Sequence, residues 1–195
     1  WLVNASWEAN SPELAGLLAG AAGIYVRDSA SAAELAAAGV AATVVPDLTF
    51  ATRYEPAPAA GGPLLVSDSV FAETSAQLMT LAARLDARYL PIIQAPPLTG
   101  PYAAPGKWLK ARSYGALARL SLGAYRPRQY YRDLACCESD TSQFLVQLAG
   151  ARAIVSGRYH ATCLALQHRL PLVCLASNTR KVENLLTDAG LDAAR

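Results

Sequence analysis

The segment from Ala153 to Leu175 constrains the fold more than any other part of the chain. Its first three residues, Ala-Ile-Val, form an apolar run that predicts a buried strand, and residues 161–168 predict a short helix that ends at Leu170-Pro171. A second apolar run, from Pro171 to Leu175, follows at once and predicts another strand. A strand, a helix and a strand in so short a stretch are typical of an α/β protein with a parallel sheet.

Polar residues follow both of these strands. Arg158 and His160 lie where the first strand gives way to the helix, and a Ser-Asn-Thr turn at 177–179 follows the second strand. In an open parallel sheet, ligands bind beyond the carboxyl ends of the strands, so we expect these residues to face one crevice. Because Arg158 is cationic and lies at a helix start, this crevice is expected to bind an anionic substrate.

The same alternation runs through the rest of the chain. Strands are predicted at 1–6, 23–26, 42–45, 64–66 and 89–93, and helices at 12–20, 32–38, 73–87, 107–120, 142–149 and 182–189. Ser29 or Ser31 is expected to cap the helix 32–38, and Ser177 or Asn178 the helix 182–189. His168 is expected at the surface near a helix end. The Pro-, Ala- and Gly-rich segment 55–63 is the clearest break in composition and predicts an interdomain linker. We therefore predict an α/β fold with two Rossmann-like parallel-sheet units facing each other across a cleft, the first at 1–54 and the second at 64–195.

Composition excludes several classes of function. The chain has 195 residues, of which 53% are hydrophobic and 16% charged, which suffices for a buried core. The formal net charge of +2, without a basic run, argues against nucleic acid as a partner, and no uncharged stretch reaches the roughly 20 residues of a transmembrane helix. The four cysteines lack the spacing of a zinc site, so we expect no metal, reduced thiols and a cytoplasmic protein.

Two groups of motifs are more specific than the alternation of strands and helices. Near the carboxyl-terminal end, Ser156-Gly-Arg158-Tyr-His160 precedes an apolar helix, Leu170-Pro171-Leu-Val and Asn178-Thr-Arg-Lys181. Upstream, Tyr25-Val-Arg27-Asp28 and Val45-Pro-Asp47-Leu48 end two predicted strands. Together these residues resemble the polysaccharide pyruvyl transferase family over most of the chain, with the weakest agreement from about residue 95 to 140.

The resemblance implies a fold like that of the two-domain GT-B glycosyltransferases. It also implies an enzyme that moves a pyruvyl group from phosphoenolpyruvate to a sugar of a cell-surface polysaccharide precursor, as a ketal. We expect a saccharide acceptor, lipid-linked or free, a location in the cytoplasm or at the inner face of the membrane, and neither metal nor organic cofactor. Because the family's glycine-rich amino-terminal segment has no counterpart before Trp1, the first unit is expected to be incomplete, with a homo-oligomer or a further segment completing it.

The chemistry of phosphoenolpyruvate assigns roles to the two signature residues. Its carboxylate and phosphate require a guanidinium that binds one of them with two hydrogen bonds, and Arg158 is the candidate. Pyruvyl transfer also requires a proton for the methylene carbon and the removal of one from a sugar hydroxyl. His160 can do either near neutral pH and is the candidate acid or base.

Further substrate contacts are expected at other strand ends. Arg27 is the candidate for a second anion clamp or a partner of Asp28 or Asp47, and Asp47 either orients Arg27 or binds sugar hydroxyls. Ser67 and Asp68 end a strand and offer a hydroxyl and a carboxylate. The turn before the last helix offers backbone N–H groups and a lysine at Asn178, Thr179 and Lys181.

Two other functions stay open from sequence. A GT-B-like glycosyltransferase that uses a nucleotide-activated acidic sugar would place the nucleotide phosphate at the turn 177–181 and the donor sugar beside Arg158 and His160. A non-catalytic fragment would bind a ligand of this kind without turnover.

Overall fold

The computed structural model describes residues 1–52, 61–92 and 141–191, together with the single positions 106, 109 and 113. The chain forms two compact units. The described part of the first comprises residues 1–52 and 176–191, and that of the second comprises 61–92 and 141–175. Both are α/β with parallel sheets, which confirms that part of the predicted fold class.

The first unit contains a three-stranded parallel sheet in the order β1-β2-β3. Its elements in chain order are β1 (Leu2–Ala5), α1 (Pro12–Gly16), β2 (Ile24–Val26), α2 (Ser29–Ala37), β3 (Thr43–Val44), a 3-10 helix (Leu48–Ala51) and, from the end of the chain, α6 (Lys181–Asp188). Its core forms where Ile24 and Val26 of β2 pack against Leu35 of α2. The two strand residues alternate with half-buried Tyr25, as expected for a strand with one face on the core.

The second unit contains a four-stranded parallel sheet in the order β5-β4-β6-β7. Its described elements in chain order are β4 (Leu64–Ser69), α3 (Ala72–Arg84), β5 (Arg88–Tyr89), α4 (Thr141–Ala149), β6 (Ala153–Gly157), α5 (Tyr159–Gln167) and β7 (Leu172–Cys174). Strand β4 lies inside the sheet and is buried from Leu65 to Ser69, so its polar end is enclosed by both neighbouring strands. Helix α3 covers it with one face, on which Ser75, Leu78 and Ala82 are buried.

The carboxyl-terminal helix belongs to the first unit, whereas the sequence analysis assigned all of 64–195 to the second. Asp188 of α6 accepts hydrogen bonds from the backbone N–H and the hydroxyl of Ser29, and Asn184 donates to Asp28. Val182 and Leu186 of the same helix are buried. This packing is a tertiary property that no local pattern in the last twenty residues encodes.

Several predicted local features are wrong in detail. Helix α2 is capped by Asp28, whose carboxylate accepts from the backbone N–H of Ser31, and not by Ser29 or Ser31. Helix α6 begins after Arg180, which has no side-chain cap, and not after Ser177 or Asn178. His168, expected at the surface, is 2% exposed at the end of α5, and burial lowers its pKa below the usual value.

Other predictions fall outside the described residues. These are most of the linker 55–63, the helix 107–120 apart from Leu109 and Ser113, the aromatic and basic stretch Tyr125–Arg132, and the pair Cys136-Cys137. Within the described ranges, no helix has the length and apolar character needed to cross a membrane. Nor do these ranges contain a group of three or more His, Cys, Asp or Glu side chains placed to hold a metal ion.

Candidate functional site

The junction between β6 and α5 fixes the backbone of Arg158. Strand β6 ends at Gly157, and Arg158 is the extended residue that precedes the first turn of α5. The hydroxyl of Ser156 accepts the Arg158 N–H at 3.0 Å, and the hydroxyl of Thr162 donates to the Arg158 carbonyl at 3.0 Å. Both hydroxyls therefore hold this one residue in place at the carboxyl end of a parallel strand.

The side chain of Arg158 is held by Asp68 on the neighbouring strand β4. Arg158 Nε donates to Asp68 Oδ2 at 2.7 Å, and Nη2 lies 2.5 Å from the same oxygen. The side chain of Asp68 is 0% exposed and that of Arg158 is 26% exposed. The structure thus brings together two of the predicted site residues, with the carboxylate enclosed and the arginine side chain in part accessible to solvent.

Gly157 allows the ends of β4 and β6 to approach each other closely. Gly157 is paired with Ser69, and a Cβ atom built on it would lie 2.8 Å from the Cβ and 3.1 Å from the Cα of Ser69. Pairing between the strands is regular up to Val66 and shifts in register before Ser69. The irregularity and the glycine together allow the ends of β4 and β6 to carry an aspartate and an arginine in contact.

His160 lies in the first turn of α5, two residues after Arg158, and is exposed. Its ring meets that of Tyr159 edge to face, with 5.4 Å between the ring centroids. An imidazole in this position is accessible to a ligand that approaches the amino-terminal end of α5. This exposure separates His160 from buried His168 at the other end of the same helix.

The first unit carries a second arginine–aspartate pair. Arg27 follows β2, and its Nη1 donates to Asp47 Oδ2 at 2.7 Å, while Nε and Nη2 donate to the hydroxyl of Ser6 at 3.2 and 2.8 Å. The side chains of Arg27 and Asp47 are 11% and 1% exposed. Of the two partners considered from sequence, Arg27 pairs with Asp47, because Asp28 caps α2 instead.

The pKa of the Asp47 carboxyl is held below its usual value. Burial by itself acts in the opposite direction, but the hydrogen bond from the Thr49 N–H and the hydrogen bond and charge of Arg27 together outweigh it. Asp47 also precedes the 3-10 helix as its capping residue. The carboxylate therefore stabilises both the arginine and the turn that follows β3.

The other predicted residues of the second unit are buried at the end of β4. Ser67 is 0% exposed, and its hydroxyl donates to Asp68 Oδ1 at 3.3 Å. Ser69 is tied to Ser75, whose hydroxyl accepts the Ser69 N–H and donates to the Ser69 carbonyl. These contacts join the strand end to the first turn of α3.

The turn before α6 lies in the first unit and already contacts an acidic side chain. Glu8 Oε1 accepts the backbone N–H of Arg180 at 3.0 Å, so a carboxylate occupies the amino-terminal end of this helix. Asn178 is exposed and accepts from the hydroxyl of Ser177, Thr179 is half-buried, and Lys181 is the first residue of α6. Sequence reasoning missed Glu8, because it lies 172 positions before its partner.

A cavity adjoins the Arg27–Asp47 pair within the first unit. It has a volume of about 350 Å³, and its walls are mainly apolar, with Val44, Pro46, Phe50, Leu185 and Ala189 beside Arg27, Asp47 and Asp188. Because Arg27 and Asp47 follow two neighbouring strands, the cavity lies at the carboxyl end of this sheet. Its far wall comes from α6, which explains why the sequence analysis did not find it.

Geometry thus defines a class: an α/β protein with parallel sheets in which an arginine, fixed to a buried aspartate, lies with a histidine at a strand-to-helix junction. The family model of polysaccharide pyruvyl transferases matches residues 1–179. The chain belongs to this family, and the resemblance found in its motifs is confirmed. A search of curated proteins found no match.

Proposed function

We propose that the protein transfers a pyruvyl group from phosphoenolpyruvate to a saccharide and forms a ketal. Family membership supports a transferase of the pyruvyl type. The observation that carries the proposal is the guanidinium of Arg158, fixed beside the first turn of α5 with the exposed imidazole of His160 two residues away. An anionic enol phosphate requires directed N–H donors and a general acid or base, and a guanidinium and an imidazole supply these.

The reaction needs one proton transfer to the methylene carbon, and one addition and one substitution at C2. The methylene carbon of the donor gains a proton, a first sugar hydroxyl adds to C2, and a second hydroxyl replaces the phosphate, which leaves with its bridging oxygen. Arg158 would bind the carboxylate or the phosphate throughout. His160 would donate the proton to the methylene carbon or accept one from an attacking hydroxyl.

The other candidate contacts with the substrates stay predictions. Arg27 is the second candidate for an anion clamp. Its three guanidinium nitrogens are all bonded within the protein, which favours a structural role over direct binding of a substrate. Asp47, which orients it, faces the cavity where sugar hydroxyls are a candidate ligand. Asn178, Thr179 and Lys181 are candidate contacts at the start of α6, where Glu8 already provides an anion.

The setting of the reaction is also part of the proposal. The GT-B-like fold that the resemblance implies is part of this proposal, and the acceptor is a precursor of a cell-surface polysaccharide, free or lipid-linked. We place the protein in the cytoplasm or at the inner face of the membrane.

Binding of phosphoenolpyruvate tests the proposal directly. Ligand-observed NMR is expected to show saturable binding to the wild-type protein, which CMP and UDP do not displace. Arg158→Ala is expected to weaken it at least tenfold, because charge-assisted hydrogen bonds contribute about 1.5–3 kcal/mol. Arg152→Ala, which removes the same charge from an exposed position of the same unit, is the matched control and is expected to bind normally.

Other outcomes have distinct meanings. Binding of a nucleotide in place of phosphoenolpyruvate contradicts pyruvyl transfer and favours the glycosyltransferase. Binding without turnover, when a saccharide acceptor is added, indicates a non-catalytic protein. His160→Ala is expected to keep the binding and to abolish the release of phosphate from phosphoenolpyruvate.

A further inference from the structure

The carboxylate of Asp68 connects three neighbouring strands of the second unit. It lies on β4, between β5 and β6. Its Oδ2 accepts from Nε of Arg158 at 2.7 Å and lies 2.5 Å from Nη2, after β6. Its Oδ1 accepts the backbone N–H of Ile92, after β5, at 2.9 Å and the hydroxyl of Ser67 at 3.3 Å.

These contacts leave the carboxylate little capacity for a substrate. A carboxylate has about four lone-pair positions, and four donors from this chain approach the two oxygens of Asp68. The side chain is also 0% exposed. A substrate hydroxyl could reach Asp68 only if one of these internal partners left, and the buried group would then lose a hydrogen bond.

We infer that Asp68 is a positioning residue that acts on the anionic substrate through Arg158. The inference rests on the proposed function for the identity of the anion, but not for the orientation of the arginine. Asp68 engages the edge of the guanidinium formed by Nε and Nη2, and the arginine side chain stays 26% exposed. Ser156 and Thr162 fix the backbone of the same residue.

A fixed arginine binds an anion better than a free one. Ordering a long side chain on binding costs about 0.5–1.5 kcal/mol. The contact with Asp68 orders the Arg158 side chain before the ligand binds, so this cost is not added to the binding free energy. The pair has no net charge, so recognition depends on the direction of the N–H donors. A lysine at 158 keeps the charge but not the planar fork, and it is expected not to replace the arginine.

The test joins a spectroscopic measurement with a binding measurement. In the 15N-labelled protein, the Nε–H signal of Arg158, assigned by its loss in Arg158→Lys, is expected to exchange slowly with water. In Asp68→Asn, which has nearly the same shape, the signal is expected to exchange at least tenfold faster. The affinity for phosphoenolpyruvate is expected to fall at least tenfold in the same variant.

A second buried aspartate provides the control. Asp28 is 4% exposed and accepts hydrogen bonds from the Ser31 N–H and the Asn184 amide in the first unit. Asp28→Asn is expected to alter stability while the Arg158 signal and the affinity for phosphoenolpyruvate stay as in the wild type. If Asp68 had a purely structural role, Asp68→Asn would likewise alter stability but would leave the exchange rate of the Arg158 Nε–H unchanged.

The outcomes separate this inference from the proposed function. The positioning role is overturned if the Arg158 Nε–H still exchanges slowly with water in Asp68→Asn. It is also overturned if this exchange becomes fast while the affinity for phosphoenolpyruvate stays normal. If Asp68→Asn does not fold, the wild-type exchange rate decides: an Arg158 Nε–H that exchanges as fast as that of exposed Arg152 overturns the role. A wild-type protein that binds no phosphoenolpyruvate contradicts the proposed function, whereas the exchange measurement still decides whether Asp68 orients Arg158.

Discussion

Both units contain an arginine–aspartate pair, but the two arginines differ in their contacts and in their exposure. Each has an arginine after one parallel strand and a buried aspartate from a neighbouring strand. In the first unit, Arg27 donates from all three guanidinium nitrogens to Ser6 and Asp47 and is 11% exposed. In the second unit, Arg158 contacts Asp68 through Nε and Nη2 and is 26% exposed.

This difference shows how one residue pair can serve either the fold or a ligand. An arginine whose three guanidinium nitrogens are all bonded within the protein stabilises a strand end, because fewer of its donors are left for a ligand. An arginine held along one edge is rigid and still has guanidinium surface for an anion. We therefore expect mutations at Arg27 to act chiefly on stability and mutations at Arg158 chiefly on binding.

The largest expected effect on stability comes from Arg27→Ala. The change leaves Asp47, with 1% of its side chain exposed, as a buried charge without its arginine, which costs about 3–5 kcal/mol. Arg158→Ala is expected to cost less, since Asp68 keeps the two donors of Ile92 and Ser67. Asp47, by contrast, keeps the N–H of Thr49. Urea unfolding at neutral pH measures both, and a larger loss in Arg158→Ala would contradict the distinction.

A smaller effect is expected from Gly157→Ala, which tests the second pair alone. The added Cβ would lie 2.8 Å from the Cβ and 3.1 Å from the Cα of Ser69, so the strand ends must move apart, at about 1–3 kcal/mol. The affinity for phosphoenolpyruvate is expected to fall with it. Gly150→Ala, whose nearest neighbour atom is at 3.6 Å, is the control, and equal behaviour of the two variants would refute the argument.

The sequence predicted the strand-to-helix setting of Arg158 and His160, but not the side chain that Arg158 contacts. The setting of Arg158 and His160 was predictable, because an apolar run, a turn and a short helix lie within about fifteen residues and form a local unit. The bond from Arg158 to Asp68 was not, since the two residues are 90 positions apart and meet only because β4 and β6 are neighbours. Strand order is a tertiary property, and periodicity carries no information on it.

The same reasoning explains the other differences. The contacts of α6 with α2 depend on Asp188 reaching the exposed N–H of Ser29 across 159 positions. The cap of α2 was misassigned because Asp28, Ser29 and Ser31 are all suitable residue types within four positions. Only the extended backbone of Asp28 and its contact with the Ser31 N–H distinguish it, and neither can be read from residue type.

The smallest expected effect is a pH dependence that belongs to the first pair. The pKa of Asp47 lies below its ordinary value of 3.8, so its carboxylate contributes stability that is present above about pH 3.8 and lost as the pH falls through the folded pKa. In Arg27→Met, burial is expected to outweigh the remaining Thr49 contact and to raise the pKa. The contribution then changes sign, and stability is lost as the pH rises from about 3.8 to the raised value.

The destabilisation by Arg27→Met is therefore expected to be smallest near pH 3 and to grow toward pH 6, with a slope of at most about 1.4 kcal/mol per pH unit for one proton. Urea unfolding of both proteins across this range measures it. Adding Asp47→Asn removes the titrating group. The pH dependence of stability in the double variant should therefore differ from that of the wild type only by lacking the acid-side loss that Asp47 causes. A destabilisation by Arg27→Met that does not vary with pH would mean that Arg27 holds the strand end by packing and by Ser6, and that its charge contributes little to Asp47.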